Sequence, residues 1–333
     1  MSSEASVKIK GEKHSAWYYR ELYLDEDITF DEFFCPYCNV RLIAKNVYRD
    51  RNEELIKQPY FATFPGKGHA LGCEFEALEK VDQEETGGVL TGSRTNKPSA
   101  DDPEIFAVRT ESYWQNKAEN DARRKMQQAV SNEALRSVVR KGKSSNRYID
   151  GARNSASRVY SMRSFAECYA LFYKKAFKLR DENKWSKEQF NEYVKKELSA
   201  KNLVFSKDNA TNYYYGFKSL YKEEFLDFKR ERIYHGKGYI EKSGSLYQVN
   251  SNKRILLKNG ITVPFYVVIE IVNVEHMPRS HRDIVDFMEA AAKDRKNYYD
   301  IKWFARGIPS VKDSSIVLYL RNLDFLFLRT NSK

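Results

Sequence analysis

The chain has 333 residues, which is long enough for two or three domains, and 14% of them are aromatic, including 23 tyrosines and 20 phenylalanines. This composition excludes a disordered protein, because disordered chains are poor in aromatic residues. No apolar stretch approaches the roughly 20 residues that cross a bilayer, and residues 1–24 lack the apolar centre of a secretory signal. The sequence therefore predicts a cytoplasmic protein that does not associate with membranes.

The formal net charge of +11 is unevenly distributed along the chain. Residues 1–107 contain 13 Lys and Arg against 20 Asp and Glu, a net charge of −7. Residues 108–180 contain 17 against 6, a net charge of +11, and residues 181–333 contain 27 against 20, a net charge of +7. An acidic segment at residues 1–107 followed by a basic remainder predicts a polyanionic partner for residues 108–333. Basic helices that are merely solvated would give the same count, so this alternative stays open.

The N-terminal residues 14–80 are predicted to form a compact unit of short strands and turns. Residues 14–24 and 39–48 have the aromatic and β-branched content that is typical of strands. Residues 81–102 are polar and rich in Gly, Ser and Thr, which indicates a linker.

Three of the four cysteines cluster in this unit, within two local pairs of potential metal ligands. Cys35 and Cys38 are separated by two residues, and His69 and Cys73 by three, with a turn rich in Pro and Gly at 65–68 before the second pair. Three thiolates and an imidazole are the soft and borderline donors of a closed tetrahedral zinc site. The spacing therefore predicts a structural Zn²⁺ bound by these four residues.

Two other interpretations of the cysteines are open. Cys-Pro-Tyr-Cys is also the active-site tetrapeptide of glutaredoxins, in which the first Cys is a nucleophile at a helix N-terminus. That site needs an apolar strand before the motif and a helix after it, whereas residues 25–34 are acidic and residues 39–48 are strand-like. The cysteines can also be ordinary thiols without chemistry. The zinc interpretation is preferred because the residues on both sides of the motif do not fit a glutaredoxin site.

The pattern F-x-C-P-x-C, followed by P-Y-F, a turn with glycines and H-x-x-x-C, resembles the N-terminal zinc-finger segment of competence-protein CoiA-like bacterial proteins. The resemblance covers residues 33–75. It implies that Cys35, Cys38, His69 and Cys73 are the metal ligands. In that family a nuclease-like domain often follows the finger, whereas the region after residue 107 has a helical pattern here.

The central region is predicted to be helical and basic. Residues 110–141 are strong helix formers with basic residues on one side, and residues 141–158 are expected to form a flexible basic loop before a helix at 160–180. A further helix should begin at Ser186, a good N-cap with Gln189 in the first turn. Cys168 lies on an apolar face of the helix at 160–180 and is expected in the core.

From residue 232 onward the pattern changes to short strands separated by Gly, Ser and Asn. Strands are predicted at 232–242, 245–251, 254–258, 262–273, 301–307, 315–321 and 324–329, with a helix at 281–297. The predicted fold class is α+β, with a small barrel-like or OB-like sheet in the C-terminal domain. The predicted domains are a zinc-finger module (1–80), a linker (81–107), a basic helical domain (108–230) and a C-terminal α+β domain (231–333).

Catalytic residues are not evident from the sequence. A metal-dependent nuclease needs carboxylates and a lysine around Mg²⁺, and the candidates are Glu270, Asp300 and Lys302. A carboxylate inside an apolar strand more often points to the outer face of the sheet, so Glu270 does not establish an active site. His276 and His281 lack a clear third and fourth ligand for a second metal site.

Nucleic-acid binding requires cations for the phosphates and flat side chains for the bases. Eleven basic residues lie within residues 123–163, where only two acidic residues occur. The predicted contacts are Arg123, Arg124, Lys125, Arg136, Arg140, Lys141, Lys143, Arg147, Arg153 and Arg158, with Tyr239 and Tyr247 on the later strands. Half of the strand aromatics should instead belong to the core.

The sequence as a whole thus predicts a zinc-finger nucleic-acid-binding protein without catalysis of its own, in a bacterial DNA-processing or defence system. DNA is preferred over RNA as the partner. The alternatives are a metal-dependent nuclease and a protein–protein adaptor, in which the acidic N-terminal module would contact a protein partner.

Overall fold

A computed structural model describes residues 4–9, 12–51, 53–71, 73, 75, 102–107, 158–206, 208–221, 226–257, 260–271 and 277–330. The described elements are mixed α and β, as predicted, with several separate sheets. The helix predicted at 110–141, most of the loop at 141–158 and nearly all of the linker at 81–102 lie outside the described residues.

The N-terminal unit consists of one helix and two small sheets. A two-stranded ribbon, β1 (Glu4–Ala5) and β2 (His14–Ser15), leads into helix α1 (Ala16–Glu26). An antiparallel meander follows, made of β3 (Phe33–Phe34), β4 (Arg41–Lys45) and β5 (Tyr60–Thr63). The strand predicted within residues 39–48 is confirmed by β4.

The strand-like interpretation of residues 14–24 is wrong, because most of this segment is helix α1. The hydroxyl of Ser15 caps the helix by accepting the backbone N–H of Tyr18. The helix buries apolar and charged side chains together, among them Trp17, Arg20 and Glu21. Burial of charged groups breaks the apolar periodicity that marks a helix in a sequence, and the ion-pair partners lie far along the chain.

The central unit packs two helices against a four-stranded sheet of order β7-β6-β8-β9. Its strands are β6 (Ile105–Phe106), β7 (Arg158–Val159), β8 (Asn202–Ser206) and β9 (Asn209–Asn212), and its helices are α2 (Met162–Asn183) and α3 (Lys187–Ser199). Both predicted helices are confirmed, and α3 has a complete capping box between Ser186 and Gln189. Cys168 is buried in the core, as predicted.

The C-terminal part is built on an eight-stranded mixed sheet. Seven strands run in the order β17-β18-β15-β12-β11-β16-β19, and β10 pairs with β11 in parallel. The strands are β10 (Phe217–Ser219), β11 (Arg232–Ser243), β12 (Leu246–Ser251), β15 (Phe265–Glu270), β16 (Ile301–Gly307), β17 (Ser310–Lys312), β18 (Ser315–Leu320) and β19 (Leu326–Arg329). The strands predicted at 232–242, 245–251, 301–307 and 315–321 are confirmed by β11, β12, β16 and β18. The strands predicted at 262–273 and 324–329 are confirmed over β15 and β19, which are shorter. Among the described residues β17 and β19 end the pairing order, and a barrel or OB-like closure is not confirmed.

Smaller elements complete this part of the chain. They are the short helix α4 (Tyr213–Gly216), the ribbon of β13 (Ile255–Leu256) and β14 (Thr262–Val263), helix α5 (Arg279–Lys293) and a 3-10 turn (Leu323–Phe325). The helix predicted at 281–297 corresponds to α5. Among the described residues, no helix is both long and apolar enough to cross a membrane.

The two faces of the eight-stranded sheet differ. One face packs beneath α5 and contributes Tyr234, Tyr247, Phe265 and Trp303 to the largest apolar core. Because side chains alternate along a strand, Lys237 and Tyr239 of β11 point to the opposite face. We call this opposite face, away from α5, the outer sheet face.

Buried ion pairs and hydrogen bonds join the three parts. The carboxylate of Glu21 accepts the backbone N–H groups of Tyr160 and Ser161, both at 2.9 Å, at the N-terminus of α2. The guanidinium of Arg306 lies among the rings of Phe106, Phe205 and Phe325 and pairs with Glu231 at 2.7 Å. These contacts bring α1, the central sheet and the eight-stranded sheet together.

Candidate metal centre

The first ligand pair lies in a tight knuckle between β3 and β4. The Cys35 N–H donates to the Val40 carbonyl at 2.8 Å, and the Asn39 N–H donates to the Cys35 carbonyl at 2.9 Å. Asn39 has a φ of 59°, in the left-handed region that Asn tolerates better than most residues. The reversal of the chain turns Cys35 and Cys38 toward the same point.

The second pair follows β5 after a turn. The Lys67 N–H donates to the Phe64 carbonyl at 2.9 Å, and Gly66 adopts a φ of 74°. A glycine is suited to this position because a side chain there would be strained. A second turn, closed by the Cys73 N–H and the Ala70 carbonyl at 3.0 Å, places Cys73 beside His69.

The four predicted ligands converge on one point. Their ligand atoms all lie within 4.8 Å of one another. The Sγ atoms of Cys35 and Cys73 are 3.7 Å apart, and Nδ1 of His69 lies 3.4 Å from Cys38 Sγ and 3.6 Å from Cys73 Sγ. The sequence prediction that these residues form one cluster is confirmed.

The distances fit a single tetrahedral ion. Metal–sulfur bonds of about 2.3 Å and metal–nitrogen bonds of about 2.0–2.1 Å require tetrahedron edges of about 3.8 Å between sulfurs and about 3.5 Å between sulfur and nitrogen. The three separations given above match these edges, and the others are below 4.8 Å. A disulfide is excluded as the explanation, because its sulfurs would be about 2.05 Å apart and all four cysteines are free. The cluster can therefore hold a metal ion, and its donors are compatible with zinc.

The cluster is shielded from solvent. Cys35, His69 and Cys73 are buried, and Cys38 is half-buried. The rings of Tyr37 and Phe75 meet edge to face, with centroids 5.2 Å apart, beside the site. Since four protein ligands already surround the centre, no open position is left for a substrate.

Backbone N–H groups point at the thiol sulfurs. Cys35 accepts from Tyr37 and Cys38, and Cys73 accepts from Phe75. Such donors support the negative charge of metal-bound thiolates. Desolvation nevertheless raises the pKa of Cys35 to about 12 and also raises the pKa of Cys73. Without a cation, these two buried sulfurs therefore stay protonated.

Cys38 behaves differently from its neighbours. Desolvation opposes ionisation here too, but the backbone N–H groups of Ala70 and Val40 and the side chain of His69 outweigh it, and they lower the pKa of Cys38 to about 6. The protein therefore already stabilises one thiolate at neutral pH. A metal ion would supply the charge that ionises the other two.

The glutaredoxin interpretation is wrong for this chain. Residues 36–38 form a turn that leads into strand β4, so Cys35 does not lie at a helix N-terminus. The raised pKa of Cys35 is also the opposite of what a nucleophilic first cysteine requires.

The structure does not bring together the candidate nuclease residues. Glu270 ends β15, is exposed, and pairs in register with Leu246 on β12. Asp300 precedes β16, two strands beyond β12, and binds Lys237 at 2.6 Å. At about 4.8 Å between strands and about 3.4 Å per residue, Glu270 lies more than about 15 Å from Asp300 and Lys302. His281 instead pairs with Asp324 at 2.8 Å, and His276 is outside the described residues.

The predicted nucleic-acid contacts divide into three groups. Arg123, Arg124, Lys125, Arg136, Arg140, Lys141, Lys143, Arg147 and Arg153 lie outside the described residues, as does the side chain of Arg158. Tyr239 is half-buried and lies on the outer sheet face. The prediction for Tyr247 needs correction: this residue is 3% exposed, beneath α5, and hydrogen-bonds Glu289, so its ring is not available to a base. Side chains alternate between the two faces of the sheet along β12, so a shift of one residue would place Tyr247 on the outer sheet face.

Three exposed tyrosines were not identified from the sequence: Tyr221, Tyr299 and Tyr319. Tyr221 and Tyr299 lie in loops without periodicity, so no pattern shows which way their rings point. Tyr319 alternates with buried residues of β18, and this alternation was the available signal.

No protein-family model, no curated protein and no solved structure matches the chain.

Proposed function

We propose that the chain is a nucleic-acid-binding protein without catalysis of its own, and that a structural zinc ion holds its N-terminal unit together. The wide separation of Glu270 from Asp300 gives no support to a nuclease. The basic balance of residues 108–333 favours a polyanionic partner.

Zinc is the ion that suits the cluster best. Three thiolates and one imidazole select soft or borderline ions, and a closed tetrahedron is the usual geometry of structural zinc. The ion would link the knuckle after β3 to the loop after β5. It would thereby fix two segments that only short strands otherwise connect.

Metal analysis of the purified chain tests the zinc proposal. We expect about one zinc per chain, and Cys35→Ser should reduce this value strongly because a tetrahedral site loses a thiolate. Cys168→Ser is the matched control, since it changes a buried cysteine outside the cluster and should leave the zinc content unchanged. Wild-type protein without bound metal, or equal zinc in both variants, would contradict the proposal.

The observation that carries nucleic-acid binding is the outer sheet face. Tyr239 lies opposite Asn250, which lies opposite Tyr266, and Val268 of the same strand lies opposite Tyr319. Directly opposed residues share a face, so three tyrosines lie on this face across four adjacent strands. Tyr319 is 50% exposed.

Lysines lie beside these tyrosines. Lys237 precedes Tyr239 on the same face of β11, and Lys302 pairs with Lys237 in register. Lys312 lies over the ring of Tyr319, with its Nζ 5.8 Å from the ring centroid. Aromatic rings stack on bases and nearby ammonium groups contact phosphates, which is the combination used by proteins that bind nucleic-acid strands.

Salt-dependent binding of labelled oligonucleotides, followed by fluorescence anisotropy, tests this function. We expect tight binding at about 50 mM salt that weakens steeply toward about 200 mM, because bound lysines release counterions. The double variant Lys302→Gln/Lys312→Gln should reduce the slope of log K against log salt by about 1.4–1.8.

The matched control changes two exposed lysines that lie on helices and not on the strands of the sheet. Lys178 of α2 and Lys293 of α5 are highly exposed, and Lys178→Gln/Lys293→Gln makes the same change in net charge. This control should keep the wild-type slope. An equal effect in both double variants, or no binding at low salt, would overturn the proposed function.

A further inference from the structure

We infer that a tyrosine cluster at one end of the β11–β16 pair binds the unpaired bases of a single nucleic-acid strand. This inference rests on the proposed function and specifies its ligand. The cluster, called here the stacking platform, consists of Tyr221, Tyr239, Tyr299, Lys237 and Arg295.

The platform is assembled around the side chain of Lys237. Tyr221 follows β10, and its hydroxyl lies near the backbone N–H of Lys237 and within electrostatic range of the Lys237 ammonium group. Tyr299 precedes β16 and lies within electrostatic range of the same ammonium group. Asp300 anchors that ammonium at 2.6 Å. Two loops that are far apart in sequence thus place tyrosines near one cation, which Asp300 holds in place.

The two loop tyrosines are unusually exposed for residues of this size. Tyr221 is 49% exposed and Tyr299 is 67% exposed, whereas Tyr213 and Tyr234 are fully buried. A single exposed aromatic residue needs no explanation. Two of them close together form a surface on which the flat faces of bases can stack.

Arg295 supplies a further flat surface. Its guanidinium lies 3.8 Å from the centroid of the Tyr239 ring, and its side chain is 58% exposed. The stack on Tyr239 and an ion pair with Glu241 at 3.4 Å hold the guanidinium plane in place. The outward side of this plane can accept a base in the same way as an aromatic ring.

The charges of the platform favour bases over a duplex backbone. The carboxylates of Asp300 and Glu241 lie beside the lysine and the arginine, so they repel the closely spaced phosphates of a duplex. The same carboxylates can accept hydrogen bonds from the exocyclic amino groups of bases. Base faces are accessible in a single strand but are stacked on their neighbours in a duplex, so the ligand is single-stranded.

DNA and RNA present the same base faces to such a surface. The experiment therefore uses a 5′-fluorescein 12-mer as single-stranded DNA, the same sequence as RNA, and the blunt DNA duplex. The protein is the full zinc-loaded chain. The variants are Tyr221→Ala and Tyr299→Ala, with Tyr221→Phe and Tyr299→Phe to keep the rings.

Tyr215 provides a matched control. It is 51% exposed and lies six residues before Tyr221, ahead of β10, whereas Tyr221 lies beyond the other end of that strand. Tyr215→Ala therefore removes an equally exposed ring without touching the platform. Because all three tyrosines are exposed, the variants should keep the wild-type melting temperature, which is measured alongside.

We expect Tyr221→Ala and Tyr299→Ala each to weaken single-strand binding by about fivefold to 100-fold, while the Phe variants and Tyr215→Ala stay within about twofold. Duplex binding should be weaker than single-strand binding and unchanged by the Ala substitutions. A larger loss of affinity for the RNA than for the single-stranded DNA would identify RNA as the ligand, and the reverse would identify DNA.

The failures of the two proposals are distinguishable. If wild-type protein binds none of the three oligonucleotides at low salt, the proposed function fails and this inference fails with it. If wild-type protein binds but the Ala variants match it, or if they weaken duplex binding equally, the stacking platform alone is overturned.

Discussion

At the scale of single side chains, Cys168 shows that a cysteine outside the metal cluster has a separate, structural role. Its thiol donates a hydrogen bond to the Asp102 carboxylate at 3.2 Å. The same carboxylate accepts a hydrogen bond from Gln58 at 2.8 Å and forms an ion pair with Lys201. Desolvation, with Asp102 as a secondary cause, raises the pKa of Cys168 well above its ordinary value of 9.0. The proton on sulfur is therefore part of a buried hydrogen-bond network.

This assignment predicts how the four cysteines react with iodoacetamide at pH 8. We expect no modification of the zinc-loaded chain and modification of Cys168 only in denaturant. The three cluster cysteines should be modified after chelation, because loss of the metal unfolds the N-terminal unit and exposes their thiols. Because the pKa of Cys168 is raised in the folded chain, the protonated thiol stabilises the fold fully below about pH 9. This stabilisation is lost as the pH rises further. Peptide mapping measures the modified sites; Cys168 labelling in the chelated native chain would contradict the assignment.

The ligand set could be predicted from the sequence because each pair is local. Two turns, each encoded by a few contiguous residues, bring Cys35 to Cys38 and His69 to Cys73. The role of Tyr247 could not be assigned in this way. Its face depends on the register between β12 and its neighbours, and helix α5, which covers it, is more than 30 residues away.

At the scale of elements, a carboxylate of α1 supplements the N-cap of α2, in which the Ser161 hydroxyl accepts the Arg163 N–H. Glu21 accepts two backbone N–H groups at the start of α2 and the Ser164 hydroxyl at 2.9 Å. A carboxylate at this position satisfies donors that have no partner within the helix, and its charge interacts favourably with the helix dipole.

We predict that Glu21→Gln lowers the free energy of unfolding by about 2 kcal/mol, since an amide keeps one acceptor oxygen but turns a donor toward the helix N-terminus. The loss should be largest for hydrogen-exchange protection in the first turn of α2. Glu192→Gln, at an exposed position of α3, is the control and should cost less than about 0.5 kcal/mol. Urea unfolding of both variants provides the comparison, and equal costs would show that the cap contributes nothing.

The elements themselves were predictable to different degrees for physical reasons. The start of α3 is encoded locally, because Ser186 and Gln189 satisfy each other's backbone groups. Helix α1 was mistaken for a strand because its buried face includes Arg20 and Glu21. Arg20 pairs with Glu167, which lies 147 residues further along the chain, and no local pattern contains that information.

At the scale of the whole molecule, the metal cluster and the eight-stranded sheet belong to different cores. The N-terminal core includes Cys35 and Cys73, whereas every buried member of the largest core lies between Leu220 and Leu328. A third core connects them, with Trp17 and Leu55 packed among residues of the central unit. Loss of the metal should therefore affect one core directly and the others only through this connection.

We predict that a zinc chelator unfolds the N-terminal unit and leaves the eight-stranded sheet folded. Hydrogen exchange of the full chain should show loss of amide protection in β4 and β5, partial loss in α1 and no change in β11, β15 and β16. These three strands keep their apolar packing and all their sheet neighbours without the metal. Their protection reports the free energy of opening of the core itself.

Re-addition of zinc should restore protection in β4 and β5, whereas Mg²⁺ should not, because a hard cation binds thiolates poorly. Collapse of protection in β11 on chelation would show that the whole fold depends on the metal. Unchanged protection in β4 would show that the cluster is not structural. With the sheet intact, the stacking platform should keep its affinity for a single strand, so measuring oligonucleotide binding on the same chelated sample separates the metal's structural role from nucleic-acid recognition.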